Sequence, residues 1–487
     1  MENKKFIGEG LTFDDVLLLP SRCDISYNEI DLTTKLTRNI TIKIPILSAA
    51  MDTVTESRMA IGIAQLGGIG IIHKNLSIEE QAKEVAKVKR YEGIRVENPI
   101  TVSPDDTLEK VIKMRQNFGI SGFPVVDKEK RVVGIITHRD IKFVKDYKIK
   151  VSEVMTKNVI VANEDISPQE AEKIFIKNKI EKLPLVDKEG KLKYLMTAKD
   201  LIMNQIYPNA TRDKDGRLMV GAAIDVELDL ERENALIAEG VDILVIDKAH
   251  GHTNNVIKKL KLLKKKFKDV EVIVGNFATA EGVEELIKAG ADAVKIGIGP
   301  GSICTTRVIS GVGVPQLTAI YNCYQFAKKY KIPIIADGGI KYSGDIVKAI
   351  ASGADSVMLG NLLAGTDESP GELIHYRGKS YKIYRGMGSI AAMKKGGASR
   401  YFQGFETDYE KFIPEGIEAQ IPYRGSLAGV IHQLVGGIKS GMMYTGCKNI
   451  KELKEKTKFI KITQSGLIES HPHNVEIIKE TPNYWRE

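Results

Sequence analysis

The chain reads as an α/β protein built on a (β/α)8 barrel, with a repeated module inserted between the second and third barrel strands. Three observations lead to that reading. Short apolar runs alternate with helix-like segments over most of the 487 residues, the pattern of a parallel sheet with crossover helices. Eight such runs are present, at 46–50, 70–73, 219–224, 243–247, 272–276, 294–297, 334–337 and 356–359. Eight parallel strands with their helices close into a barrel. Almost every run ends on polar residues or glycine: Met51-Asp52, His73-Lys74, Asp247, Asn276, Gly297, Asp337 and Gly360-Asn361. Barrels of this kind carry function at the C-terminal strand ends, which suits that placement.

Taken in chain order, residues 1–92 supply the first two strands. Residues 93–205 then break the alternation with an internal repeat. Phe123-Pro124-Val125-Val126-Asp127-Lys128-Glu129 returns as Leu183-Pro184-Leu185-Val186-Asp187-Lys188-Glu189. Each copy runs on into an apolar strand and a Thr-x-x-Asp, Thr137 to Asp140 and Thr197 to Asp200. A helix-like segment precedes each copy, at 107–117 and 168–178. Two tandem β-α-β modules, 93–150 and 151–205, are therefore expected. Residues 206–487 return to the barrel. There Val256, Leu260, Leu263 and Phe267 fall at helical spacing, so the lysines between 258 and 268 read as a solvated helix face. Two segments stand outside the alternation: a glycine-rich stretch at 366–425, too long for an idle loop, and the tail after Lys461.

Composition limits the function classes. With 43% hydrophobic and 28% charged residues, the chain resembles an ordinary globular protein. No apolar run approaches the ~20 residues that span a bilayer, and the N-terminus lacks a signal-peptide core. A membrane partner is therefore not expected. The net charge of +8 resides largely in helix-face lysines, so nucleic acid is not expected as a partner either. Cys23, Cys304, Cys323 and Cys447 are widely spaced without metal-ligand pairing, which fits a reducing cytoplasm.

The stretch from Gly297 to Arg307 carries the most chemistry. Its three glycines and one proline forbid helix and let backbone approach a ligand closely. Cys304 sits on that turn among hydroxyls and an arginine. A thiol so placed suits a thiolate nucleophile, whereas structural cysteines are usually buried and inert. The turn lacks the helix-opening G-x-G-x-x-G of a dinucleotide fingerprint. Asp337-Gly338-Gly339 and Gly360-Asn361 follow the seventh and eighth strands, where barrels often hold phosphate on backbone N–H groups.

This loop resembles the active-site loop of the IMP dehydrogenase family. The likeness extends from Leu11-Thr12-Phe13-Asp14-Asp15-Val16 through Ala336-Asp337-Gly338-Gly339, Tyr384-Arg385-Gly386-Met387-Gly388 and Arg400-Tyr401-Phe402-Gln403 to Glu469-Ser470-His471. The repeated block resembles a pair of CBS domains inserted in a TIM-type barrel. The resemblance implies that Cys304 attacks C2 of IMP, that hydride leaves to NAD, and that Thr306 assists proton transfer. It implies an IMP site of Met51, Ser302, Asp337, Gly338, Gly339, Gly360, Asn361, Tyr384, Arg385, Gly386, Met387, Gly388 and Glu415. Asp247 is implied for the nicotinamide ribose, with Gly297, Ile298 and Gly299 lining the nicotinamide. Arg400, paired with Tyr401, is implied as the base that activates water. K+ is implied on carbonyls of Gly299, Gly301 and Cys304, completed by Glu469, Ser470 and His471 of a neighbouring subunit, in a homotetramer or octamer. In the CBS pair, Thr137, Asp140, Thr197 and Asp200 are implied contacts for ATP or GTP. Tyr194, where the first copy has Gly134, is expected to crowd the second pocket.

One residue departs from the family pattern. Lys248 stands after Asp247 where Ser or Thr is usual, and two placements are open for it, on the cofactor pyrophosphate or out in solvent. The sister activity, GMP reductase, shares the barrel and the cysteine loop. The Arg400-Tyr401 segment and the CBS pair favour the dehydrogenase, because reductases normally have neither. A catalytically inactive nucleotide sensor is disfavoured by the intact Cys304, Thr306, Asp337 and Arg400.

Overall fold

The computed structural model describes residues 5–91, 96–97, 99–479 and 481–485, and the expected module boundary at 92/93 lies outside them. The chain divides into two units, Met1–Lys89 with Asn209–Thr211 and Leu218–Glu487, and Arg90–Pro208 with Arg212–Arg217.

The first unit is the barrel expected from the sequence. Its strands are β1 (Ile46–Ser48), β2 (Ile69–Ile72), β3 (Val220–Ile224), β4 (Ile243–Asp247), β5 (Glu271–Phe277), β6 (Ala293–Ile296), β7 (Ile334–Asp337) and β8 (Ser356–Leu359). Each pairs in parallel with the next, and β8 closes on β1. Strand ends differ from the sequence reading by two residues or fewer. The period of two along each strand decides which side chains go where. Leu47, Ile71, Ile243, Val245, Ile273, Ala293, Ile335 and Met358 meet inside the barrel. Their neighbours Ile72, Leu244, Val274, Val294, Ala336 and Val357 face outward and pack with Leu260, Leu263 and Leu286 of the surrounding helices.

The N-terminal end of the barrel is plugged. A hairpin of Thr34–Lys35 and Thr41–Ile42 sends Leu36, Ile40 and Ile42 into the inner cluster. Asn39 anchors it to Glu271, the first residue of β5, at 2.6 Å. Only the C-terminal mouth is left for a ligand. The helix Asn254–Lys266 is capped by Thr253 and buries Val256, Leu260 and Leu263. Lys259 is an exception to the expected solvated face: it is buried and ion-paired with Glu233 at 2.8 Å.

The long segment after β8 has structure of its own. Leu373–Tyr376, Lys379–Arg385 and Glu418–Pro422 form a three-stranded antiparallel sheet, and Met393, Ala398 and Phe412 form a small buried cluster. The strand Phe459–Lys461 pairs with Val16–Leu18, which ties the two ends of the chain together. No helix among the described residues is long and apolar enough to cross a membrane.

The second unit repeats one motif twice. The helices Leu108–Phe118 and Pro168–Asn178 are each followed by an antiparallel hairpin, Gly122–Val126 with Val132–Thr137 and Lys182–Val186 with Leu192–Thr197. The hairpins meet at an Arg131–Lys191 bridge. Each copy has its own apolar cluster, around Phe123 and around Phe175.

Candidate functional site

One step above the inner apolar layer, the same strand alternation brings polar residues inward. Asp247 follows Ile243 and Val245 on β4, Lys295 follows Ala293 on β6, and Asp337 follows Ile335 on β7. Lys295 is only 2% exposed, with Nζ 3.0 Å from Asp247 Oδ1 and 2.6 Å from Asp337 Oδ2. It also donates to Asn276 Oδ1. Asn276 Nδ2 in turn donates to Asp337 Oδ2 at 2.9 Å and to the Gly297 carbonyl at 2.7 Å. A buried charge is tolerated only when paired and hydrogen-bonded, and this network meets that condition. The sequence reading missed Lys295 because it lies inside an apolar run. The signal that could have found it is its inward register at the height of Asp247 and Asp337.

The cysteine loop leaves β6 at Gly297, whose φ is +146°. A Cβ there would stand 2.1 Å from the Asp337 carbonyl oxygen, so glycine is required by strand packing. The Arg307 guanidinium braces the loop by donating to the carbonyls of Ile298 at 3.0 Å and Val314 at 2.6 Å. Cys304, half-buried, donates its thiol to the Thr306 hydroxyl at 3.1 Å. Thr306 itself is buried and opens the short helix Thr306–Ser310. The other cysteines are unlike it. Burial pushes the Cys323 thiol up to about 12 and raises that of Cys447, while Cys23 is exposed. Only Cys304 lines the cavity at the barrel mouth, which has a volume of about 470 Å³.

Most of the expected substrate residues share that cavity: Met51, Ser302, Asp337 to Gly339, Gly360, Asn361, Tyr384, Gly386, Met387 and Glu415 all line it. Asn361 Nδ2 donates to Ser302 Oγ at 3.3 Å, joining the cysteine loop to the loop after β8. Tyr384 is buried, which holds its phenol above the usual range, and its hydroxyl lies 3.9 Å from Met51 Sδ. The segments 386–388 and 415–417 are pinned to the cysteine loop by backbone bonds. Thr305 N donates to Glu415 O at 2.9 Å, Ile417 N to Ile303 O at 3.1 Å, and Gly386 N to Ile417 O at 2.9 Å. Arg385, Gly388 and Ile298 lie off the cavity lining. The Arg385 guanidinium turns to Asp52, with NH2 2.7 Å from Oδ2, the Gly388 α-carbon backs onto Tyr401, and Ile298 is buried.

Arg400 and Tyr401 occupy the last turn of a 3-10 helix, Gly397–Tyr401, and both line the cavity. Arg400 is ion-paired with Asp247 Oδ2, and its Nε is buried with no hydrogen-bond partner among the described residues. Burial raises the Tyr401 phenol, against the opposing pull of Arg400.

Lys248 does not point into solvent, one of the two placements left open for it. Its side chain is buried, 2.7 Å from Asp225 Oδ1, and donates to the Ser399 carbonyl. Asp225 also receives Lys74 and the Ser399 hydroxyl. Burial alone would raise the Asp225 carboxyl, yet Lys74 and Lys248 hold it well below the usual carboxylate range. Nothing in local sequence flagged this cluster, because its members come from four separate segments.

The remaining expected residues lie elsewhere. Glu469 and Ser470 end the helix Gln464–Ser470. His471 packs edge-on to Tyr342, at 5.9 Å between ring centroids, and lies 3.1 Å from the Tyr484 hydroxyl. The tail also brings Trp485 onto the cavity lining. Gly299, Gly301 and Cys304 lie together on the loop. In the second unit, Thr137 Oγ1 donates to Asp140 Oδ2 at 2.7 Å and Thr197 Oγ1 to Asp200 Oδ2 at 2.6 Å. Both pairs cap the N-terminus of the following helix, so the repeated Thr-x-x-Asp has a local folding role. At Gly134 a Cβ would stand 2.4 Å from Met155 Sδ. A side chain at Gly134 would therefore displace Met155.

Fold and site together define a (β/α)8-barrel enzyme with a single cysteine-bearing loop at the C-terminal mouth, covered by a segment bearing arginine and tyrosine. The family model described as the IMP dehydrogenase / GMP reductase domain matches residues 10–473. The chain belongs to that family. It is 57% identical to inosine-5'-monophosphate dehydrogenase of Aquifex aeolicus, over 100% of this chain and 99% of that one. Identity to the enzyme of the same name from Bacillus subtilis is 52%, over 99% of both chains. Among solved structures, a GMP reductase from Trypanosoma brucei in complex with guanosine 5'-monophosphate superposes with a TM-score of 0.88 at 40% identity. That match covers 98% of this chain and 100% of the other. A protein named as a reductase therefore spans nearly this whole length, and the inserted block does not discriminate between the two activities.

Proposed function

We propose that this chain oxidises IMP to XMP with NAD and water, through a covalent intermediate on Cys304, in guanine nucleotide synthesis. The observation that carries the reading is the convergence of Cys304, Thr306, Asp337, Tyr384, Arg400 and Tyr401 around one cavity at the barrel mouth. Asp337 Oδ1 has no hydrogen-bond partner among the described residues and suits the ribose hydroxyls, with Lys295 and Asn276 fixing the other oxygen. Gly338, Gly339, Gly360 and Ser302 offer the phosphate a close approach. The Cys304 sulfur attacks C2 of the purine, and the Thr306 hydroxyl, 3.1 Å from the sulfur, relays the thiol proton onward to solvent. NAD supplies the hydride acceptor. Water then hydrolyses the thioimidate, with Arg400 and Tyr401 moving its proton, and XMP leaves.

The donor set fits both small-molecule partners. The Asp247 carboxylate suits a ribose diol, but both its oxygens are engaged, one by Lys295 and one by Arg400. Arg400 must withdraw for the cofactor to bind, so cofactor and flap alternate at one carboxylate. For K+, the carbonyls of Gly299, Gly301 and Cys304 lie on one tight turn, and neutral carbonyl oxygens suit a large, weakly hydrated cation. Glu469, Ser470 and His471 of a neighbouring subunit complete this proposed site in a tetramer. The second unit is proposed to bind ATP or GTP as a regulatory module, and the cytoplasm is the proposed compartment.

GMP reductase is the second reading, favoured by the match to the trypanosomal structure. A steady-state assay separates the two. Absorbance at the nicotinamide band rises with IMP and NAD if the chain is a dehydrogenase, and rises faster with K+ present. It falls with GMP and NADPH if the chain is a reductase.

A further inference from the structure

Three consecutive residues at the end of β4 each grip the helical turn Gly397–Tyr401. Asp247 holds the Arg400 guanidinium, Lys248 Nζ donates to the Ser399 carbonyl, and the Ala249 N–H donates to the Arg400 carbonyl at 3.1 Å. The first contact belongs to the reading above, and the second does not. Lys248 and Lys74 are each 7% exposed at the side chain and share the Asp225 carboxylate, itself 13% exposed. That carboxylate also accepts the Ser399 hydroxyl, so Ser399 is held from both its side chain and its backbone. A neutral carbonyl neutralises no charge. A buried ammonium aimed at it, already paired with a carboxylate, therefore fixes a position.

We propose that Lys248, anchored on Asp225, is a positioning residue for Arg400: by holding the Ser399 carbonyl it sets how firmly the segment bearing Arg400 closes on β4. This rests on the reading that Arg400 serves hydrolysis and leaves Asp247 when the cofactor enters. Lys248→Met keeps the aliphatic stem and removes the ammonium. With a loosened latch, Arg400 is less often in place for hydrolysis and yields Asp247 to the cofactor more readily.

The test is burst and steady-state kinetics of the full chain with IMP and NAD, for the parent, K248M, K248R and D225N. The expected result for K248M is a burst of about one NADH per site at a rate within about twofold of the parent. Its steady-state turnover should be about tenfold slower and its KM for NAD lower. D225N should behave alike, and K248R, which keeps the charge and a donor, should recover part of the turnover. An unchanged ratio of steady state to burst in K248M overturns the proposal. So does a higher KM for NAD with a slowed burst, which would place Lys248 on the cofactor. Should K248M lose both phases along with its thermal midpoint, the K248M/D225N double variant, which removes the buried pair together, is measured instead. A parent-like ratio there overturns the latch, and a lowered ratio supports it. A parent chain that makes no NADH from IMP would instead sink the functional reading, which distinguishes the two failures.

Discussion

Lys295 lies 2.6 Å from Asp337 and is the cation that lets two carboxylates share the top of the barrel interior. Replacing it with methionine, of similar length, leaves Asp247 and Asp337 without their shared counterion. Breaking a buried pair by removing one partner costs about 3 kcal/mol or more. Lys295→Met should therefore lower the denaturant midpoint by that equivalent and weaken IMP binding, measured by chemical unfolding and titration. An unchanged midpoint would mean that the lysine is not needed to hold the two acids.

Arg400→Ala should separate the two halves of the proposed reaction. Hydride transfer depends on Cys304 and bound cofactor, so a burst of NADH should remain. Hydrolysis should slow by about 100-fold, the scale of a lost general base, and mass spectrometry should find the adduct on Cys304. Loss of the burst itself would assign Arg400 to the first step or to the fold.

Much of this was legible in sequence because the barrel is a repeating pattern. Each of the eight apolar runs became a strand, and the fourth and seventh end at the mouth on the acids that their runs display, Asp247 and Asp337. The cysteine loop was legible for a related reason: glycines at 297, 299 and 301 have few structural uses besides a tight turn or close approach. What escaped was chemistry made only by tertiary contact. Lys295 is masked by Val294 and Ile296 and gains its role only from barrel register. Lys248 needs Asp225 and Ser399, far away in the chain, before its direction is defined. The Thr-x-x-Asp repeats carry a local folding signal as well. Thr137 with Asp140 forms a capping box, and the Thr197 hydroxyl caps the next helix by accepting from Asp200 N, which accounts for the spacing locally.

The repeated block offers a test of modularity. The chain re-enters the barrel at Thr211, whose N–H donates to the Ala64 carbonyl at 2.8 Å, and all eight strands lie outside the block. Replacing 93–205 with a short Gly/Ser linker should leave turnover within about threefold of the parent and abolish any response to ATP or GTP. A loss of folded protein, read by gel filtration and circular dichroism, would show that the block is needed for the barrel to close.

The central claim is that Cys304 forms a covalent bond to the purine while NAD is reduced. The direct measurement is a rapid-quench single turnover with IMP and NAD, following absorbance at the nicotinamide band and the intact mass of the protein together, for the parent and Cys304→Ala. The account predicts one NADH per site in the parent, rising in step with a mass increase of one purine nucleotide on the Cys304 peptide. In Cys304→Ala it predicts neither signal, with IMP still binding because the phosphate and ribose contacts are untouched. NADH production by Cys304→Ala within about tenfold of the parent would contradict the covalent mechanism outright.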